Sequence, residues 1–237
     1  MGESIFITGN SSGIGRALTE RYLSAGWAVY GLSRRGYGGS ATDLHDVRCN
    51  LEDIDSITPA LQRLLQSVTK LDLVILNAGV LGEIRDVSET PLKDIRRVMD
   101  INVWANKVIL DWLRNARIAI AQIVIISSGA AVNGNRGWGS YSLSKATLNM
   151  LAQLYAHEFP QTHITALAPG LVDTAMQEYL CDAKNVDAQR FPSVAKLRKA
   201  RGTPDMPTPA QAADLIVTHL PEFKRHPSGV FLDIRSM

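Results

Sequence analysis

Strand and helix signals alternate along the whole chain. Short β-branched or aliphatic runs at Ile5–Thr8, Ala28–Leu32, Leu73–Leu76, Ile118–Ile126, Ile164–Ala168 and Gly229–Leu232, with a weaker one at Asp46–Cys49, read as strands. Longer stretches with helical spacing lie between them: Ile14–Ser24, Ile54–Thr69, Leu92–Arg114, Ser142–His157 and Ala210–Leu220. Near-continuous apolar strands are buried on both faces, and parallel neighbours need a crossover between them. The pattern predicts an α/β fold: one doubly wound domain over residues 1–237, with a mostly parallel seven-stranded sheet and helices on both faces.

Composition narrows the function. With 237 residues and 46% hydrophobic content the chain can bury one sizeable core. Its 25 basic residues are scattered among 23 acidic ones for a net charge of +2, so no electrostatic footprint for nucleic acid is expected. No apolar run reaches the roughly 18 residues of a membrane span, and the opening Met1-Gly2-Glu3-Ser4 runs into a strand without a basic leader. Cys49 and Cys181 suit packing in a reducing compartment, so a cytoplasmic protein with no metal site is expected. The least regular stretch is 177–209, with prolines at 192, 204, 207 and 209. Two readings stand for it, a connector or a mobile substrate lid.

Chemistry-bearing residues cluster where strands end. Thr8-Gly9-Asn10-Ser11-Ser12-Gly13-Ile14-Gly15 joins the first strand to a helix, where glycines let backbone N–H groups approach a pyrophosphate at the helix N-terminus. Such turns also occur as plain connections. Arg34 and Arg35 end the second strand, where an arginine can hold a ribose 2′-phosphate; solvated charge is the alternative. Tyr141 and Lys145 are four residues apart on one helical face, and an ammonium beside a phenol would lower its pKa from about 10 toward neutrality. Ser128 ends the strand upstream, where its hydroxyl could join Tyr141 at a substrate oxygen.

The ordered set of these motifs resembles the short-chain dehydrogenase/reductase family over nearly the whole chain. Its cofactor loop is matched by 8–15, its N-A-G motif by Asn77-Ala78-Gly79, and its helix asparagine by Asn102. Its catalytic serine, tyrosine and lysine are matched by Ser128, Tyr141 and Lys145, and its P-G motif by Pro169-Gly170 with Val172 and Thr174. The resemblance implies a Rossmann domain binding NADP(H) across the sheet's carboxyl edge. Ser128 would hold a carbonyl oxygen, Tyr141 would protonate it, and Lys145 would bind the nicotinamide ribose. Asn102 would hold a proton-relaying water; a solvated polar position is the other reading of it. Asn50, before Leu51, stands where the family often has aspartate, so the adenine would be contacted without a charge.

A narrower resemblance, to sepiapterin reductases and related benzil reductases, lies in Gly137-Trp138, in 168–177 and in Ser228-Gly229-Val230-Phe231-Leu232-Asp233. It implies a small carbonyl substrate with adjacent carbonyls and Asp233 as an anchor for a pterin edge. Pairing of Asp233 with Arg235 is the alternative, and Trp138 either walls an aromatic substrate or packs a loop. Reductases of a sugar, steroid or acyl thioester, and a non-catalytic NADP(H) sensor, remain competing readings. The family also implies a homodimer or homotetramer through the two long helices.

Overall fold

The computed structural model describes residues 2–237. The chain runs β1 (Ser4–Thr8), α1 (Gly13–Ser24), β2 (Ala28–Ser33), β3 (Leu44–Arg48), α2 (Ile54–Leu65), β4 (Lys70–Leu71) and β5 (Leu73–Leu76). It continues through α3 (Leu92–Met99), α4 (Ala105–Asn115), β6 (Ala119–Ile120), β7 (Gln122–Ile126), α5 (Gly139–Glu158) and β8 (His163–Ala168), then α6 (Ala175–Cys181), α7 (Pro192–Ala200), α8 (Pro209–Phe223) and β9 (Val230–Asp233). Seven strands form one sheet in the order β3-β2-β1-β5-β7-β8-β9, and every neighbouring pair is parallel. The two-residue β4 and β6 pair separately.

The two faces of β1 show how the core forms. Ile5 and Ile7 face a buried cluster with Leu18 and Tyr22 of α1 and Ile216 and Phe223 of α8. Phe6 faces the opposite cluster, with Leu61 of α2, Ile109 of α4 and Leu148 of α5. A side-chain period of two thus serves two cores at once, and each such buried side chain contributes about 1.5–3 kcal/mol.

Several expectations shift. The helix expected to reach Thr69 ends at Leu65, and the strand expected over 118–126 divides at Ala121 into β6 and β7. Leu92–Arg114 is helical, but Asp100–Trp104 forms a wider π-helical turn between α3 and α4. The stretch 177–209 holds most of α6 and all of α7, with Leu180, Val186, Phe191, Val194, Leu197 and Met206 buried in a third cluster. Pro192 and Pro209 read as breakers, yet both sit in the first turn of a helix, where a missing N–H costs nothing. Thr208 and Gln211 complete a capping box at the start of α8.

Candidate active site

Strand order reverses between β1 and β5, and the crevice at the carboxyl ends of a parallel sheet opens at such a point. A cleft of about 760 Å³ lies there, lined by the loops after β1, β2, β5, β7 and β8 and by α7.

At one end, the turn from β1 to α1 is held by its neighbours. Gly9 has φ +73°, and a Cβ on Gly15 would lie 2.3 Å from the Gly9 carbonyl oxygen, so α1 approaches the turn more closely than a side chain allows. Asn77 clamps this turn: its Nδ2 donates to the Thr8 carbonyl at 3.0 Å, while the backbone N–H groups of Asn77 and Ala78 donate to Thr8 Oγ1 at 3.0 and 3.1 Å. Asn10 ties the turn to β3 by donating to Asp46 at 2.7 Å. Ser11, Ser12, Gly13, Ile14, Ala78 and Gly79 line the cleft beside it, as do Asn50 and Leu51 after β3. Gly15 is not in the wall; it lets the wall close. Arg34 and Arg35 line the cleft, exposed and in no ion pair among the described residues, and the cleft continues past Gly79 to Pro169, Gly170, Val172 and Thr174. Backbone donors that no side chain crowds, next to two uncommitted guanidinium groups, fit an anionic dinucleotide.

Ser128, Tyr141 and Lys145 meet in the middle. Ser128 Oγ accepts from Ala130 N at 3.1 Å, which leaves its hydroxyl proton to be donated. The Ser128 hydroxyl stands near enough to the Tyr141 phenol to favour its ionisation, but burial outweighs it and the phenol is pushed up to about 12. Lys145 is buried, its Nζ donates to the Ile126 carbonyl at 2.8 Å, and burial pushes it down to about 8. The expected lowering of the tyrosine by the lysine is therefore not what this arrangement does. Nζ lies 5.5 Å from the centroid of the phenol ring, and desolvation disfavours both charged forms.

Asn102 is buried beside the cleft, outside its wall. The π-helical turn aims its amide at the chain after β5: Oδ1 accepts from Val80 N at 2.8 Å, and Nδ2 donates to Val80 O at 2.8 Å and to Ser144 Oγ at 3.0 Å. Ser144 Oγ donates to the Tyr141 carbonyl at 2.7 Å. The side chain expected to hold a water is thus committed to joining the Val80 segment to the helix of Tyr141, and the solvated reading fails as well.

At the far end, Trp138 lines the cleft, 6.1 Å from Tyr141 between ring centroids, and its Nε1 donates to Ser193 Oγ on α7 at 2.8 Å. It therefore both walls the cleft and pins the α6–α7 segment. Asp233 does not line the cleft; its carboxylate is gripped by Arg235, Nε at 2.9 Å and Nη2 at 2.5 Å. Arg235 lines the cleft instead, as do Arg97, Asn133, Asn135, Ser193 and Lys196, none of which the motifs flagged, and Gln177, which ends the 168–177 run. An arginine two residues beyond the matched aspartate was the available signal for the first of these. Cys49 is a free thiol in the wall after β3.

A sequence model described as short chain dehydrogenase matches residues 3–185. The chain belongs to the short-chain dehydrogenase family. Among similar members, a benzil reductase ((S)-benzoin forming) from Saccharomyces cerevisiae is 28% identical, with 94% of this chain and 93% of the relative aligned. A protein of the same description from Bacillus subtilis is also 28% identical, over 92% and 93%. A short-chain dehydrogenase from Shigella flexneri, whose crystal structure is complexed with NADP, superimposes with a TM-score of 0.75 at 25% identity, covering 98% of this chain and 97% of that one. Among the described residues no helix is long and apolar enough to cross a membrane, and no cluster of His, Cys, Asp or Glu is arranged to hold a metal.

Proposed function

We propose that this short-chain dehydrogenase is an NADPH-dependent carbonyl reductase acting on small substrates with adjacent carbonyls, and that Tyr141 is its proton donor. The observation that carries the reading is the meeting of Ser128, Tyr141 and Lys145 in a cleft whose other end is a glycine turn flanked by Arg34 and Arg35. When bound, NADPH supplies the hydride. Ser128 would donate its free hydroxyl proton to the carbonyl oxygen, building up positive character at the carbon. Tyr141 would then deliver its proton to that oxygen as negative charge develops. A phenol kept protonated by burial is loaded for reduction. Lys145 would hold the ribose and offset the charge left on the phenol. Arg34, with Arg35 second, would select the 2′-phosphate through charge-assisted hydrogen bonds. The benzil reductases among the relatives support an adjacent-dicarbonyl substrate.

The test is loss of NADPH absorbance with benzil, against NADH as control, in the wild type and in Tyr141→Phe. Turnover should need NADPH, and the variant should lose about a hundred- to ten-thousand-fold in kcat while still binding the nucleotide. Turnover undiminished in Tyr141→Phe would remove the proton-donor role. A preference for NADH would remove the role of Arg34.

A further inference from the structure

Among the described residues no aspartate or glutamate lines the cleft, whereas Arg34, Arg35, Arg97, Lys145, Lys196 and Arg235 do. The first two stand at the end of β2, Arg97 is engaged by Glu52 at 3.1 Å, and Lys145 sits in the middle. Arg235 belongs to the opposite end. Its stem lies on Gly170, where a Cβ would meet Cγ and Cδ at 3.4 Å, and its Nη2 reaches Gly129, where a Cβ would meet it at 3.4 Å. Gly129 follows Ser128, so the guanidinium stands one residue from the hydroxyl assigned to the reacting carbonyl.

A guanidinium carries five N–H donors in a rigid fork. Asp233 takes Nε and one proton of Nη2, and no acceptor is recorded among the described residues for the other three. Asp233, whose Oδ2 stands 4.0 Å from that same point on Gly129, fixes the fork in place and offsets its charge while leaving those three donors unused. We infer that Arg235 is a specificity residue, and that the cleft takes a 2-oxo acid, a ketone whose neighbouring carbonyl is a carboxylate held by this fork. The inference rests on the reductase reading and narrows its adjacent-dicarbonyl substrate to an anionic one. In the reduction, hydride from the nicotinamide adds to the ketone carbon and the Tyr141 proton to its oxygen; the carboxylate is unchanged and the product is a 2-hydroxy acid. The approach of Arg235 Nη2 to Gly129, next in the chain to Ser128, favours a substrate in which charge and ketone are adjacent.

The discriminating pair is phenylglyoxylate and its methyl ester, which differ at the charged group alone. The ester ketone is the more electrophilic, so a preference for the acid reports binding rather than reactivity. With NADPH, the acid should exceed the ester at least about tenfold in kcat/KM. Arg235→Gln should collapse that ratio toward one, mainly through KM for the acid, and Arg235→Lys should retain part of it. Independently of turnover, phenylglyoxylate should perturb tryptophan fluorescence of the nucleotide-free protein at lower concentration than the ester, and Arg235→Gln should lose that difference. Equal or better use of the ester, or reduction of benzil but of neither probe, overturns the inference and leaves the reductase reading standing. No reduction of benzil or of either probe removes both.

Discussion

Tyr141 and Lys145 share a helical face, as their spacing requires, but the lysine spends its proton on the Ile126 carbonyl. Because burial lowers Lys145 to about 8 and raises Tyr141 to about 12, the two titrate in the reverse of the usual order. The lysine is charged below about 8 and neutral above it, whereas the phenol keeps its proton throughout that window. If a positive Lys145 is needed to receive the nucleotide, kcat/KM for NADPH should be level at neutral pH and fall as pH rises through about 8. That limb should vanish in Lys145→Met, whose activity at neutral pH should already be low. A profile that stays level to pH 10 would mean that the lysine's charge is not used. That these two residues face one cleft was legible from motif order. Their ionisation was not, because spacing gives proximity along a helix while desolvation depends on every neighbour in the fold.

The α6–α7 segment is held over the cleft by an ionic knot. Asp86, in the loop after β5, accepts from Arg136 at 2.7 and 2.6 Å and from Arg190 at 2.7 Å, and Arg190 also donates to Glu89 at 2.6 Å. Arg136 lies just ahead of Trp138, and Arg190 precedes Phe191, over whose ring both guanidinium groups sit. Gly137, with φ +91°, brings its backbone against that ring, where a Cβ would come within 2.6 Å of Phe191. Hydrogen bonds from Arg136 and Arg190 hold the Asp86 carboxyl well below the usual carboxylate range, so the knot stays charged at any working pH. Asp86→Asn should raise KM for the carbonyl substrate about three- to tenfold with a smaller change in kcat. Added salt should raise the wild-type KM in the same direction by screening a partly exposed network. Equal KM values for the two proteins in low salt would show that α6 and α7 stay in place without the knot. None of this could be read from the sequence, because Arg136 and Arg190 lie 50 and 104 residues beyond Asp86 and charged residues in loops carry no period. The helices of the segment were obscured in the same way: α6 has only seven residues, and α7 is opened by Pro192, a residue that usually ends helices.

At the scale of the molecule, the alternation along the chain carried the sheet, its seven strands and the two helical layers, while the sequence could not separate core from surface on α5. Of the leucines on that helix, Leu148 is 1% exposed but Leu143 and Leu154 are 50% and 54% exposed, with Met150 at 53% between them. Trp104, at the start of α4, is a further 44% exposed. Apolar side chains repeated along one helix and left to water favour association of two copies through these helices. The protein should elute as a homodimer or homotetramer, and Leu154→Asp should shift it to a smaller species without unfolding it. A wild-type chain that is monomeric by light scattering at high concentration would leave that apolar stripe without this use.

The strand order also sets a timetable. β1 lies inside the sheet, beside its central strand β5, yet β5 is made only after α1, β2, β3, α2 and β4. On the ribosome, the first strand made must wait with one flank bare until Leu73–Leu76 have emerged, and its unpaired backbone groups, with Ile5, Phe6 and Ile7 between them, make that flank adhesive. The clamp from Asn77 onto the Thr8–Gly9 turn is made at the same junction, so the glycine turn and the middle of the sheet come into being in a single step. A nascent chain halted before β5 has neither.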